Sequence, residues 1–374
     1  MPSSASRPRI CLNMIVRDEA EVIARCLSAV RPLIDHWVIV DTGSSDDTPA
    51  RIRAALAGIP GELHQRPWKD FGHNRSEAIA LAEGCGDFLL FVDADDQLIC
   101  RQGFAWPTLD RDAYEIEIQH DSLRYRRIAL VRAALGWRFE GVVHEYPVCA
   151  AGAYSTGVLD GLQLRYGGDG ARSRAGAAAK FARDAALLEA ALATEPDNAR
   201  YAFYLAQSYR DGGRLEDALS AYDRRAAMPG FDQETYCARL EAARLARRLD
   251  RPEAEVLARF LQAFETRPTR VEALGELATW CRQVGPRWAQ AFAFAHRALQ
   301  IPPSDDILFV EPAWHQWRLL DEYAVAAYWL GQTALSLQAC EALLASPQLP
   351  PGERARVQRN HAFAVARLAE RRRA

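Results

Sequence analysis

Phe88-Leu89-Leu90-Phe91-Val92-Asp93-Ala94-Asp95-Asp96 decides how this chain is read. Five consecutive apolar residues make a strand buried on both faces, as in a parallel sheet flanked by helices, and the run then ends in three carboxylates that packing does not require. If the chain stays extended there, side chains two apart point the same way. Asp93 and Asp95 then face one ligand from the carboxyl end of a sheet, where open α/β folds place their ligands. Two hard oxygen donors held together suit Mg²⁺ or Mn²⁺, with diphosphate oxygens completing the shell. A solvated turn after a core strand has the same letters, so the motif needs support from its neighbours.

The residues before it supply that support. Ile10 to Val16 is a short apolar run, and Ile23, Cys26, Leu27 and Val30 follow at helical spacing within Glu19 to Val30. A second strand spans Asp35 to Asp41. Thr42-Gly43-Ser44-Ser45 turns the chain, and Asp46-Asp47-Thr48 caps a helix through Ile52 and Leu56, because short polar side chains and early negative charge satisfy free backbone N–H groups. A weak third strand lies at Glu62 to Gln65 and a helix at Phe71 to Ala82. Strands joined by short helical crossovers predict a mostly parallel sheet.

The polar ends of these strands can converge on one crevice: Arg17-Asp18-Glu19, Asp41-Thr42-Gly43-Ser44 and Asp93-Ala94-Asp95. Asp41 could accept from a base imide or a ribose hydroxyl, and Arg75 could neutralise phosphate oxygens bidentately. Taken singly, Asp41 reads equally as a turn residue and Arg75 as a solvated helix residue. The chain has no Gly-x-Gly-x-x-Gly and no Gly-x-x-x-x-Gly-Lys-Ser/Thr, which argues against dinucleotide and P-loop sites.

Composition sets outer limits. A chain of 374 residues, 49% of them hydrophobic, can bury a sizeable core and divides into about two domains. A net charge of -3, from 46 Lys and Arg against 49 Asp and Glu, gives no electrostatic case for nucleic acid as a partner. The eight cysteines are scattered without Cys-x-x-Cys pairs and read as small buried hydrophobes in a reducing compartment. Met1 to Arg7 has no apolar targeting core, and no apolar run nears the roughly 20 residues of a transmembrane segment. The expectation is a cytoplasmic protein, with peripheral membrane contact left open.

The combined motifs resemble a known family, the inverting family 2 glycosyltransferases of GT-A fold. The resemblance rests on Leu12-Asn13-Met14-Ile15-Val16-Arg17-Asp18-Glu19, Val40-Asp41-Thr42-Gly43-Ser44-Ser45-Asp46-Asp47-Thr48, Phe71-Gly72-His73-Asn74-Arg75-Ser76 and Val92-Asp93-Ala94-Asp95, in the family's order and at its spacing. It implies an α/β GT-A catalytic domain, a hexosyltransferase-like activity, a nucleotide-diphosphate sugar donor (a UDP-sugar favoured) and Mn²⁺ or Mg²⁺. In that family the residue matching Asp41 binds the base. Those matching Val16, Arg17 and Glu19 line the nucleotide pocket, and the Asp-x-Asp pair holds ribose and metal. Inversion needs one displacement and no covalent carboxylate.

After Asp95 the pattern changes to period two. Ala113 to Ile118 alternates, Tyr125 to Arg132 reads as a strand bearing positive charge, and Trp137 to Glu145 follows. These fragments predict a small mixed sheet laid across the crevice as the acceptor side. Related enzymes can use a His after this segment as a metal ligand and a nearby carboxylate as base, which implies His144 and Glu145; the family's more usual Glu-Asp base motif is not evident. Glu140 is the alternative base, because alternation along a regular strand puts it on the His144 side. Trp137 either stacks on an acceptor or packs.

Gly161 to Gly170 reads as a flexible joint, dividing residues 1–165 from an all-α tetratricopeptide-like repeat domain at residues 171–374. Leu205, Ala206, Tyr209, Gly212, Ala218, Tyr222 and Pro229 match one repeat well. Three further helix pairs are expected: Asp232 to Arg248 with Glu253 to Phe264, Val271 to Cys281 with Trp288 to Leu299, and Glu322 to Leu330 with Ala334 to Leu344. A last helix follows at Glu353 to Arg371. Such a surface could hold a peptide, protein or glycan acceptor, or join copies of the chain. Trp314 and Trp317, in the interrupting segment Ile307 to Trp317, read as an acceptor platform or as core. A sugar-phosphate nucleotidyltransferase, or a non-catalytic repeat scaffold, would fit parts of the same pattern.

Overall fold

The computed structural model describes residues 7–120, 123–174, 176–285 and 287–373. The targeting reading of Met1 to Ser6 lies outside the described residues. Contacts divide the chain into two compact units, Met1–Arg214 and Leu215–Ala374.

The first unit begins with four strands, β1 (Ile10–Val16), β2 (His36–Asp41), β3 (Gly61–Gln65) and β4 (Phe88–Phe91), separated by helices α1 (Ile23–Val30), α2 (Thr48–Ala55) and α3 (Phe71–Leu81). β1 runs parallel to both β2 and β4, and β2 parallel to β3. Successive side chains leave opposite faces of a strand. Ile10, Leu12 and Met14 therefore join Ile23, Leu27 and Val30 in one core, while Cys11 joins Val38, Ile79 and Leu89 in another. Burial on both faces is why these strands read as unbroken apolar runs, each large side chain contributing about 1.5–3 kcal/mol.

Then come β5 (Gln97–Cys100), β6 (Ala113–His120), β7 (Leu123–Arg132), β8 (Trp137–Glu140), β9 (Tyr146–Cys149) and β10 (Thr156–Arg165). The expected separate sheet over the crevice does not form from β6 and β7. β7 pairs antiparallel with β4 instead, and the main sheet has eight strands in the order β3-β2-β1-β4-β7-β6-β10-β5. The reason is an open edge: β4 is paired on one side only by β1, and Leu130 and Val131 of β7, both fully buried, complete its other side. Only β8 and β9 stand apart, as an antiparallel hairpin. Residues 141–145 are its loop, not a strand, so alternation does not carry from Glu140 to His144.

Strands give way to helices between Arg165 and Ala171, at α4 (Ala171–Arg174), α5 (Ala177–Thr194) and α6 (Ala199–Asp211). The glycine run is not there for flexibility. A Cβ on Gly167 would lie 2.0 Å from the Asp95 carbonyl oxygen, and one on Gly170 would lie 2.8 Å from Asp95 Oδ2, so these glycines admit close backbone approach. Asp169 is fixed by Arg25 at 2.7 and 2.8 Å.

The second unit is helical: α7 (Leu215–Ala227), α8 (Asp232–Arg248), α9 (Glu253–Thr266), α10 (Glu272–Gln283), α11 (Trp288–Leu299), α12 (Leu319–Trp329), α13 (Thr333–Ala345) and α14 (Pro351–Arg373). α8 packs on α9, α10 on α11 and α12 on α13, and α14 closes against α13. Small residues such as Ala238, Ala242, Ala243 and Ala246 are buried along α8, where they allow close helix approach. Trp314 is fully buried in a π-type turn, Trp314–Arg318, against Gly275, so it forms no platform, and Trp317 is partly buried against the core cluster that includes Leu343 and Val357. Six of the eight cysteines are buried, but Cys100 is exposed. Among the described residues no helix is long and apolar enough to cross a membrane.

Candidate active site

The carboxyl ends of β1 and β2 are zipped together. Asp18 N donates to Ser44 Oγ at 2.9 Å, Ser45 N to Asp18 Oδ1 at 2.7 Å, and Glu19 N to Thr48 Oγ1 at 2.8 Å. Short polar side chains in each loop supply the partners that backbone N–H groups leaving a strand require. Val16 contributes its carbonyl, which accepts from Thr42 N at 2.9 Å, while the Arg17 side chain is largely exposed.

Asp41, at the end of β2, is fully buried. Its Oδ1 accepts from Ser44 N at 2.8 Å and from Gly43 N at 3.2 Å, but Oδ2 is buried and has no partner among the described residues. Asp41 lines an open cavity of about 360 Å³ with Gly43, Ser44, Gln65, Arg66 and Pro67. A buried carboxylate oxygen without a donor costs free energy unless a ligand supplies one. Val16, Arg17 and Glu19 are not among the lining residues of this cavity.

The second cluster surrounds the end of β4. The chain does not stay extended there: Asp96 N closes a turn on Asp93 O at 3.1 Å, so Asp93 and Asp95 do not form a strand-spaced pair. Asp93 is gripped by two guanidiniums, Arg75 on Oδ1 and Arg127 on Oδ2 at 3.0 Å. Burial would raise its carboxyl, yet Arg75 and Arg127 hold it well below the usual range. Arg75 also donates through Nε to Glu145 Oε1 at 2.5 Å. One helical arginine thereby joins the strand-end aspartate to the β8–β9 loop. Arg127 reaches Asp96 at 2.6 Å as well. It is the residue that the sequence missed, and its only signal was the positive charge on an otherwise apolar strand.

The remaining carboxylates are poorly compensated. Burial, then the Asp93 charge, raises Asp95, which has no paired cation among the described residues. Asp96 is pushed up to about 6 by burial, against the pull of Arg127. Glu19 accepts from Ala171 N at 3.1 Å and is pushed up to about 7, by burial first and by Asp95 among the rest.

Glu145 is nearly buried, whereas Glu140 is half exposed and paired with Arg138. His144 stacks on Tyr204 with ring centroids 4.0 Å apart, and among the described residues no three His, Cys, Asp or Glu side chains form a metal-holding group. Trp137 is core, edge-on to Tyr154 at 4.8 Å. Asp95 is a largely buried carboxylate whose pKa is raised by burial and by the neighbouring Asp93 charge.

Residues 11–99 match Glycosyl transferase family 2, a match that classes the amino-terminal domain with glycosyltransferase-type enzymes. Its mixed sheet with interspersed helices is GT-A-like, and an all-α repeat domain follows. The chain is similar to a TPR repeat-containing protein of Synechococcus elongatus, 43% identical over 105 residues, 28% of this chain and 24% of that protein. It is similar to the SPbeta prophage-derived glycosyltransferase SunS of Bacillus subtilis, 24% identical over 226 residues, 57% of this chain and 52% of that protein. The crystal structure of MamA protein aligns at 13% identity with a TM-score of 0.34, covering 51% of this chain and 86% of that one. The chain thus spans about a quarter and about half of the two curated relatives.

Proposed function

We propose that the protein is a metal-dependent inverting glycosyltransferase that takes a sugar from a nucleotide-diphosphate sugar, with a UDP-sugar favoured. Asp41, which lines the cavity and keeps its buried Oδ2 without a partner among the described residues, carries this reading. A carboxylate oxygen there suits a base imide N–H, and its partner oxygen is already fixed by two backbone donors.

From that anchor the diphosphate runs toward Arg75 and Arg127. Asp95, with Asp93 at its side, would hold Mn²⁺ or Mg²⁺, which supplies charge neutralisation on the departing diphosphate. Arg75 has a double duty: its guanidinium keeps positive charge near the leaving group and orients Glu145. Glu145 takes the acceptor's proton at Oε2, since Arg75 holds Oε1. Attack opposite the diphosphate inverts the anomeric carbon in one step. Glu140, turned to Arg138 and solvent, is the weaker candidate base. His144, stacked on Tyr204 by its ring face, keeps the metal or phosphate role as an untried alternative.

The helical unit supplies the surface for a peptide, protein or glycan acceptor or for a second copy of the chain; Trp329 and Phe363, each more than half exposed, are its apolar contacts. Titration calorimetry with UDP, GDP and UDP-glucose, each with and without Mn²⁺, tests the reading. Metal-strengthened binding of a uridine nucleotide that Asp41→Ala abolishes supports it. Absence of nucleotide binding sinks it, and pyrophosphate release from UTP and a sugar phosphate would favour a nucleotidyltransferase.

A further inference from the structure

The loop that carries Glu145 is held from two sides. On one side is α3: Gly72 N donates to Gly141 O at 3.2 Å, and Ser76 Oγ accepts from Phe139 N at 2.9 Å. Gly72 is required there, because a Cβ on it would lie 2.8 Å from Gly141 O. On the other side is α6, the second helix after the strands end. Arg200 donates to the His144 carbonyl at 2.9 Å, and Tyr204 stacks on the His144 ring at 13° between planes. The Tyr201 hydroxyl, its pKa raised by burial, takes a hydrogen bond from the Val142 backbone.

The contacts make a column. The Arg200 guanidinium lies 4.5 Å from the Tyr146 ring and 4.9 Å from the Tyr204 ring, so the rings flanking Glu145 in the loop are tied to one helix. They also meet a backbone need. His144 has φ 53°, a left-handed conformation that a non-glycine residue keeps only when its surroundings fix it. The residue that turns the chain into Glu145 is the one that α6 grips at both ring and carbonyl.

We infer that Arg200 and Tyr204 are positioning residues for Glu145: α6 completes the active site by holding the 141–145 loop in the conformation that sets Glu145 on Arg75. The inference rests on the reading of Glu145 as base, but its geometry does not. The helical extension is then part of the catalytic unit up to α6, and a chain ended after β10 would lack one wall of its base loop.

Hydrogen–deuterium exchange of the full chain tests this without knowledge of donor or acceptor. Tyr204→Ala and Arg200→Ala should each raise amide exchange across residues 141–146 by about tenfold while the α3 amides stay protected. Tyr204→Phe, which keeps the stacked ring, should restore protection. Unchanged exchange in the loop of both alanine variants, with the proteins folded, overturns the inference. Turnover of UDP-glucose by water, read as UDP release with Mn²⁺, separates the two readings. Tyr204→Ala should lower kcat by about 10–100-fold with UDP affinity held within about twofold, and should cost nothing further in a Glu145→Gln background. Additive losses would mean that Tyr204 does not act through Glu145. If Glu145→Gln turns over normally while loop exchange still rises in Tyr204→Ala, the base assignment fails and the loop's dependence on α6 stands.

Discussion

Arg270 in the helical unit and Arg75 in the sheet unit are both buried arginines set among carboxylates. Arg270 donates to Glu272 at 2.7 Å, to Asp306 at 3.2 Å and to the carbonyls of Leu308 and Phe309 at 3.1 and 3.0 Å. Tyr236 Oη and Glu311 N add donors to Glu272. Despite burial, Glu272 is held below its usual value by Arg270, and Asp306 by Arg267 first and Arg270 second. At the end of β4 the outcome is reversed beyond Asp93: Asp95, Asp96 and Glu19 are all raised; at the end of β2, Asp41 keeps an oxygen without a partner among the described residues. A buried arginine is therefore no mark of a site. A saturated cluster pins the 302–313 segment in place, whereas one left short of positive charge and donors has room for a ligand.

Substitutions can break or sharpen this contrast. Glu145→Gln keeps size and removes the base, so turnover should fall by about 10²–10⁴-fold while the melting temperature barely moves, as steady-state kinetics beside calorimetry would show. Equal loss of stability and activity would place Glu145 with the saturated kind. Arg270→Ala should do the opposite and destabilise the helical unit by about 3–5 kcal/mol in denaturant titration, leaving uridine nucleotide affinity intact. Asp95→Ala should keep the protein folded and lose metal-dependent nucleotide binding by about tenfold or more. An unchanged Mn²⁺ effect on affinity would move the cation elsewhere.

The smallest effect is in pH. Asp96 has a folded pKa near 6 against 3.8 for the free group, so the folded chain binds this proton more tightly. Its contribution is fully present in acid and is lost as pH rises from about 4 through about 6. Glu272 and Asp306 have the opposite sign, and their contributions are lost as pH falls below the ordinary carboxylate range. Melting curves from about pH 2 to about pH 7 should therefore show Asp96→Asn flattening the acid-favoured trend without touching the loss at the low end. The same slope in that variant as in the unmodified chain would remove Asp96 from the account.

The parts of this molecule that sequence made legible are those whose causes are local. Phe88 to Phe91 is apolar because both faces are covered, and the ranges of α8, α10 and α11 follow from helical spacing of their buried residues. Asp41 stood out because a carboxylate in that position follows a buried strand. What stayed hidden depends on partners distant in the chain. Arg127 meets Asp93 across 34 residues, Glu145 meets Arg75 across 70, and Tyr204 reaches His144 from another kind of secondary structure. The Asp-x-Asp geometry failed for a smaller reason, a single turn bond from Asp96 N to Asp93 O that no residue type announces. Trp137 and Trp314 stayed open between packing and stacking, because an aromatic ring in a core and one on a platform are the same letter, and both prove to be core.

The glycines at 167 and 170 bear on how this protein can be cut and joined. Their backbone occupies the space over Asp95, so the apparent seam between strands and helices is a wall of the aspartate cluster. Exchanging the helical array for another behind Arg165, or inserting a spacer into the glycine run, would unroof that cluster and discard the α6 contacts to the β8–β9 loop together. A chimera that preserves the front half's chemistry has to be spliced after Arg214, where the compact units divide.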